Sequence, residues 1–315
     1  MNKQGFIKYS VIDTKLLIYR SLYFYIMEES GNKIQKNNKQ KRAYDVLGNI
    51  AIVNFPEELS EKEKKEFAKG ILDERKEIKT VLEKSGKFRG RLRKMETKHI
   101  AGEKNKEVLY RENGCVFRFN IDKTYFSPRL SNERKDISNK IQKGDRVLVM
   151  FAGVAPFSIV IAKNSSVAEV ISNEINKEAV KYAKQNIELN KLKNKVELNQ
   201  GDIKKEAPKL KKKENFKGFD VIVMPRPQLE DTFLKEAFML SKNYSFFDKI
   251  NIFKNKKPTR IYYYDFCKID EIQNIINKIK KEASKAGRKI KILNTKKAGE
   301  LAPYKIRLRV DFKVY

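Results

Sequence analysis

Residues Arg146–Ile159 read RVLVMFAGVAPFSI, and the change of character along this stretch decides the fold. Behind the turn signal Gly144-Asp145, the run Val147, Leu148, Val149, Met150, Phe151 is short and apolar, the pattern of a buried strand. After Phe151 it breaks into the small-residue loop Ala152-Gly153-Val154-Ala155-Pro156, and from Phe157 apolar residues resume as a helix start. A buried strand that feeds a tight loop at a helix N-terminus is where open α/β sheets hold their ligands, because such a backbone lets a ligand approach closely.

The same grammar repeats downstream. A second short strand, Val167–Ile171, is followed by Glu174, placed where a carboxylate accepts from both hydroxyls of a ribose. KEAVKYAKQNIELN then carries Ala179, Val180, Ala183 and Ile187 at helical spacing, ahead of a strand around Val196 and Leu198. Gln200-Gly201-Asp202 sets an acid after the third strand, suited to accept from an adenine amino group. The fourth strand, Val221–Met224, runs into Pro225-Arg226-Pro227. At the C-terminus, RKIKILN and YKIRLRVDFKVY alternate with period two, as antiparallel strands do. This order resembles the class I S-adenosylmethionine-dependent methyltransferases. The resemblance implies a Rossmann-like core with a mainly parallel seven-stranded sheet ending in an antiparallel pair. It assigns the cofactor to Phe151, Ala152, Gly153, Val154, Ala155, Pro156 and Phe157, to Glu174 and Ile175, to Asp202 and Ile203, and to Pro225 and Pro227. The alternative is a Rossmann-like core that holds another nucleotide.

Composition bounds the partners. The 315 residues include 70 Lys+Arg against 40 Asp+Glu, a formal charge of +30, which favours a polyanion and nucleic acid first. A lysine-rich background composition would raise the charge without any binding role. Cys115, Cys267 and the single His99 are too few for a disulfide framework or a metal site, and suit a reducing cytoplasm. No apolar run reaches the roughly 18 residues of a membrane span. LLIYRSLYFYIM, near the start, is interrupted by Arg20 and lacks a small-residue cleavage site, so it reads as a core helix.

Three regions are expected. Residues 1–42 form a short N-terminal module ending in the basic linker GNKIQKNNKQKR. Residues 43–130 form an α+β RNA-binding domain, opened by the strand pattern YDVLGNIAIVNF and a helix over PEELSEKEKKEFAKGILDE with Pro56 near its start. The cofactor domain spans 131–315, with LKKKENFKGF as a surface loop.

Two stretches upstream of the cofactor loop sharpen the reading. TYFSPRLSNERKDI carries Tyr125, Arg129, Glu133 and Arg134, and GKFRGRLRKMETKHIAGE carries Arg89, Arg91 and Arg93. With FAGVAPFSI, Arg111-Glu112-Asn113-Gly114, NIELNKL and Ala302-Pro303-Tyr304, they resemble the archaeal and eukaryotic tRNA (guanine-N1)-methyltransferases, which modify guanosine 37 beside the anticodon. Guanine N1 carries a proton and is a poor nucleophile at neutral pH. Transfer to it calls for a carboxylate to remove that proton and a cation to stabilise charge on O6. The resemblance gives these roles to Glu133 and Arg93, Arg91 being the neighbouring choice for the second. It implies S-adenosylmethionine as cofactor, tRNA as partner, no metal, and action as a monomer. Tyr125, Arg129, Arg134, Arg91 and Arg226 are its candidate RNA contacts. From the residues alone, Glu133 also reads as a helix-start acid paired with Arg134 or Lys135.

The chain departs from the family pattern at Val149, where an acid is usual, at Ala155 in place of a second loop glycine, and at Pro225 in place of an asparagine. Ala155 is expected to narrow the approach to the cofactor's methionine end. Arg226 is the residue placed to compensate for the missing amide. The N-terminal region is shorter than the family's usual first domain, so weaker tRNA discrimination is expected. Two alternatives stay open. One is a wyosine-pathway relative, transferring an aminocarboxypropyl group or methylating a tricyclic guanosine derivative. The other is a catalytically silent RNA-binding protein.

Overall fold

The computed structural model describes residues 44–85, 96–244 and 257–315, all inside one compact unit, Tyr44–Tyr315. The expected N-terminal helix and Arg89, Arg91 and Arg93 lie outside the described residues.

The chain enters through a four-stranded sheet of β1 (Tyr44–Leu47), β2 (Ile50–Val53), β3 (Thr80–Lys84) and β4 (Thr97–Gly102), in that order. Helix α1 (Glu61–Glu74) crosses between β2 and β3, which pair in parallel. Its start is set by Ser60 and Glu63, whose side chains and backbone satisfy each other in a capping box. Pro56, expected near that start, lies outside the helix. Next comes a separate hairpin of β5 (Glu107–Glu112) and β6 (Cys115–Asn120), closed by Asn113-Gly114. Both turn residues have positive φ, 47° and 71°, which is why this dipeptide serves there.

The larger sheet holds seven strands. They are β7 (Arg146–Met150), β8 (Glu169–Glu174), β9 (Val196–Gln200), β10 (Val221–Met224), β11 (Thr259–Lys268), β12 (Ile290–Ala302) and β13 (Lys305–Val314). Their order is β12-β13-β11-β10-β7-β8-β9. β13 is antiparallel to both its neighbours and the remaining pairs are parallel, so β13 alone runs against the other six. The expected mainly parallel sheet with a C-terminal antiparallel hairpin is therefore present. Helices α2 (Ser131–Lys140), α3 (Pro156–Asn164), α4 (Lys177–Leu189), α5 (Ile203–Lys212), α6 (Leu234–Leu240) and α7 (Ile272–Lys285) accompany it. The expected surface loop LKKKENFKGF begins inside α5, which runs on to Lys212 because Leu210 is anchored in the core.

Both faces of this sheet are covered, and apolar cores lie on each. One core continues from Val147 and Val149 into Phe117 and Phe119 of the hairpin, across the position where a domain boundary was expected. Two asparagines of α4 complete that joint. Asn186 accepts from the Arg118 N–H at 2.7 Å and donates to its carbonyl at 3.1 Å; Asn190 does the same to Val116 at 3.0 and 2.7 Å. Their amides thus supply the partners that the free edge of β6 needs.

Candidate active site

An open cavity lies where β7, β8, β9 and β10 end, the edge at which parallel α/β sheets bind ligands. Phe151 and Gly153 line it from the first loop, Glu174 and Ile175 from the end of β8, and Gly201, Asp202 and Ile203 from beyond β9. Pro225 and Pro227 close the side after β10.

Glu174 is buried at 8% exposure. One carboxylate oxygen accepts from the Gly153 N–H and the other from the Asn176 N–H, each at 2.7 Å. Burial pushes its carboxyl above the usual range, and these backbone donors oppose that shift. A carboxylate has roughly four acceptor sites, so it keeps capacity for a ligand's hydroxyls. Asp202 caps α5 by accepting from the Lys204 N–H at 3.1 Å, and Ile175 and Ile203 give the cavity apolar walls.

The loop after β7 does not meet the cavity along its whole length. Ala152, Val154, Ala155, Pro156 and Phe157 are buried and do not line it. Ala155 holds φ +66° with its methyl in the core, so it leaves the opening unnarrowed. Its cost is local backbone strain, about 1–2 kcal/mol for an L residue in this region. Phe151 shares that conformation at φ +59°, with its ring against Phe233 at a centroid distance of 4.9 Å.

A second carboxylate stands deeper. Glu133, in the first turn of α2, is only 4% exposed. Its Oε2 accepts from the Arg309 guanidinium at 2.6 Å and the Tyr264 hydroxyl at 3.0 Å, and its Oε1 pairs with Lys296 at 2.7 Å. Its partners are thus neither Arg134 nor Lys135. Arg309 is fully buried and also holds Asp136 at 2.6 Å and Asp311 at 2.7 Å. Burial and the Glu133 carboxylate together hold the Tyr264 phenol protonated, its pKa well above the ordinary value.

The expected RNA contacts divide. Arg129 is exposed, 3.7 Å from an equally exposed Asp45. Tyr125 lines the cavity, and its hydroxyl accepts from Arg307 of β13 at 3.4 Å. Arg134 and Arg226 are different: they are 1% and 2% exposed, so neither offers a surface to a polyanion. Arg134 grips Glu112, with its second contact at 2.7 Å, and also donates to the Ser127 carbonyl at 3.0 Å. Arg226 pairs with Asp265 and donates to the carbonyls of Leu229 and Asp231, which pins the loop after Pro227. It is a buried staple and does not take the place of the missing amide.

Sequence reasoning overlooked Asn173, Asn176, Ala179 and Leu229 in the cavity wall. Asn176 did leave a signal, since it stands immediately before a helical pattern and caps α4. Tyr264, Arg309 and Lys296 left none. No cluster of metal-ligating side chains occurs among the described residues, nor any helix long and apolar enough to cross a membrane.

Comparison with known proteins places this geometry. The TRM5/TYW2 methyltransferase domain matches residues 108–293, and the TYW2 N-terminal domain matches residues 29–105. The chain belongs to the TRM5/TYW2 methyltransferase family. Within that family it is 34% identical over 273 residues to the tRNA (guanine(37)-N(1))-methyltransferase Trm5b of Pyrococcus abyssi, covering 86% of this chain and 74% of the relative. It is 31% identical to the tRNA (guanine(37)-N(1))/4-demethylwyosine(37)-methyltransferase Taw22 of Nanoarchaeum equitans, over 85% of this chain and 98% of the relative. The crystal structure of Methanocaldococcus jannaschii Trm5 in complex with adenosine superposes with a TM-score of 0.66 at 28% identity, covering 86% of this chain and 74% of that one.

Proposed function

We propose that this TRM5/TYW2 family member transfers the methyl group of S-adenosylmethionine to N1 of guanosine 37 in tRNA. The observation that carries the reading is Glu174. It is a buried carboxylate in the cavity wall, oriented by the Gly153 and Asn176 N–H groups of the two loops that flank it. Such an acceptor beside apolar walls fits a nucleoside with a vicinal diol, and a Trm5 relative has been crystallised with adenosine. Glu174 would take the ribose hydroxyls, Asp202 the adenine amino group, and Ile175 and Ile203 the faces of the ring. When bound, the sulfonium supplies an electrophilic methyl group.

The chain's own residues do the rest. Tyr125 forms the wall between the cavity and β13, where a flipped base would stack. Glu133 accepts the N1 proton, and Arg309 and Tyr264 hold its carboxylate in place from one side. Exposed Arg129 and the net charge of +30 favour a phosphate-rich partner.

A second reading draws on the match to Taw22, whose name includes methylation of 4-demethylwyosine, and on the TYW2-type N-terminal match. The test is transfer from S-adenosylmethionine labelled either in the methyl or in the carboxyl group, to tRNA carrying guanosine, adenosine or 4-demethylwyosine at position 37. Methyl label recovered as 1-methylguanosine, from the guanosine transcript only, is the expected result. Carboxyl label in the product would mean aminocarboxypropyl transfer. Methyl label taken up only by tRNA containing 4-demethylwyosine would favour the second reading. Failure to bind the cofactor would favour a silent RNA-binding protein.

A further inference from the structure

The Glu133 carboxylate has an unusual partner for a buried acid. Arg309 and Tyr264, both buried, converge on Oε2, whereas Lys296 approaches Oε1 from β12 at 2.7 Å with its side chain 41% exposed. Of the two cations that meet Glu133 among the described residues, Lys296 is therefore the one that a substrate can reach. Strand register gives its level. Lys296 pairs with Arg309, Arg309 with Tyr264, and the preceding Tyr263 with Met224, the last residue of β10. Lys296 thus stands level with Pro225 of the cavity wall, three strands across the sheet on the edge strand β12.

Guanine presents N1–H and O6 side by side, both attached at the same ring carbon. A base whose N1–H points at Oε1 of Glu133 brings O6 alongside whatever else binds that oxygen, and here that is the Lys296 ammonium. From this geometry we infer that Lys296 is a catalytic residue that donates to guanine O6 while Glu133 removes the N1 proton. The inference rests on the proposed N1 chemistry and names a residue for it that the family resemblance does not. In the step, the N1–H bond breaks and its proton passes to Glu133. The electron pair left on N1 delocalises onto O6, where the ammonium stabilises it, and N1 then forms the bond to the methyl carbon as the carbon–sulfur bond breaks. The pairing with Glu133 keeps the Lys296 ammonium protonated above its usual range. Arg309 is unsuited to the same task, being fully buried and engaged by Glu133, Asp136 and Asp311.

The test is an atom-by-side-chain cycle under single-turnover conditions. Wild type, Lys296→Met and Glu133→Gln are each compared on tRNA carrying guanosine or 6-thioguanosine at position 37. Sulfur is a weak acceptor, so removing the donor should matter only when oxygen is present. Lys296→Met is expected to slow methylation of guanosine by about a hundredfold, as loss of one donor to a developing oxyanion does, and to act far less on the thio substrate. Equal loss on both substrates would make Lys296 only a support for Glu133 and overturn the assignment. So would a guanosine rate within about threefold of wild type. Glu133→Gln reacting like wild type would overturn the underlying base reading instead. Lys296 lies on an exposed edge strand, so the variant is expected to fold.

Discussion

Two buried glutamates in this molecule are held in opposite ways. Glu174 is oriented by backbone N–H groups of its own and the neighbouring loop, Asn176 and Gly153. Glu133 is held by side chains, Arg309, Lys296 and Tyr264, two of them cations. Backbone donors fix a carboxylate without neutralising it, and leave it an acceptor for a ligand. Cationic side chains balance its charge, and where one of them is exposed they put a donor beside it. The first arrangement suits binding a neutral diol. The second suits handling a proton next to developing negative charge.

Substitution can break that contrast. Arg309→Met should have the largest effect on stability, about 3–5 kcal/mol, because it leaves buried Asp311 without its cation and buried Glu133 with Lys296 alone. Urea unfolding measures it, and a loss under about 1 kcal/mol would mean that the cluster is not a coupled unit. Glu174→Ala should leave the fold standing and weaken cofactor binding roughly 10- to 100-fold, the worth of charge-assisted hydrogen bonds. Calorimetric titration with S-adenosylmethionine or its adenosine fragment reads this, and unchanged affinity would remove Glu174 from the ligand site.

The smallest effect sharpens the contrast through pH. Burial raises the Asp136 carboxyl, but Lys140 and Arg309 outweigh it and bring it down to about 2 from an ordinary 3.8. A depressed carboxyl stabilises the fold above its unfolded value and loses that contribution as pH falls through its folded value. The share of the gap between wild type and Arg309→Met owed to Asp136 should therefore be full above pH 3.8 and shrink toward pH 2. A gap that stays constant through that window would assign the effect to packing instead.

The contrast also explains what could be read from sequence. Glu174 was legible because its partners are local: Asn176 is two residues away, and Gly153 lies in the adjacent strand–loop unit. The parallel core was legible for the same reason, since each strand, loop and helix announces the next. Glu133 was recognisable only through its motif, since Lys296, Arg309 and Tyr264 reach it across 131 to 176 residues of chain or from the edge hairpin. In YKIRLRVDFKVY the charged residues occupy one face of a strand, which reads as the solvent face. The sheet is covered on both faces, so Arg309 and Asp311 are buried with their charges. Arg134 and Arg226 misled in the same way, for nothing in a sequence separates an exposed arginine from one gripped by a distant carboxylate.

The most direct test of the division between the two carboxylates is Glu133→Gln, with cofactor affinity and single-turnover methylation measured on the same preparation. The expected result is cofactor and tRNA affinities close to wild type and a methylation rate lower by about 10²- to 10⁴-fold, the range for losing a general base. A rate equal to wild type, or a rate loss matched by loss of cofactor binding, would contradict it.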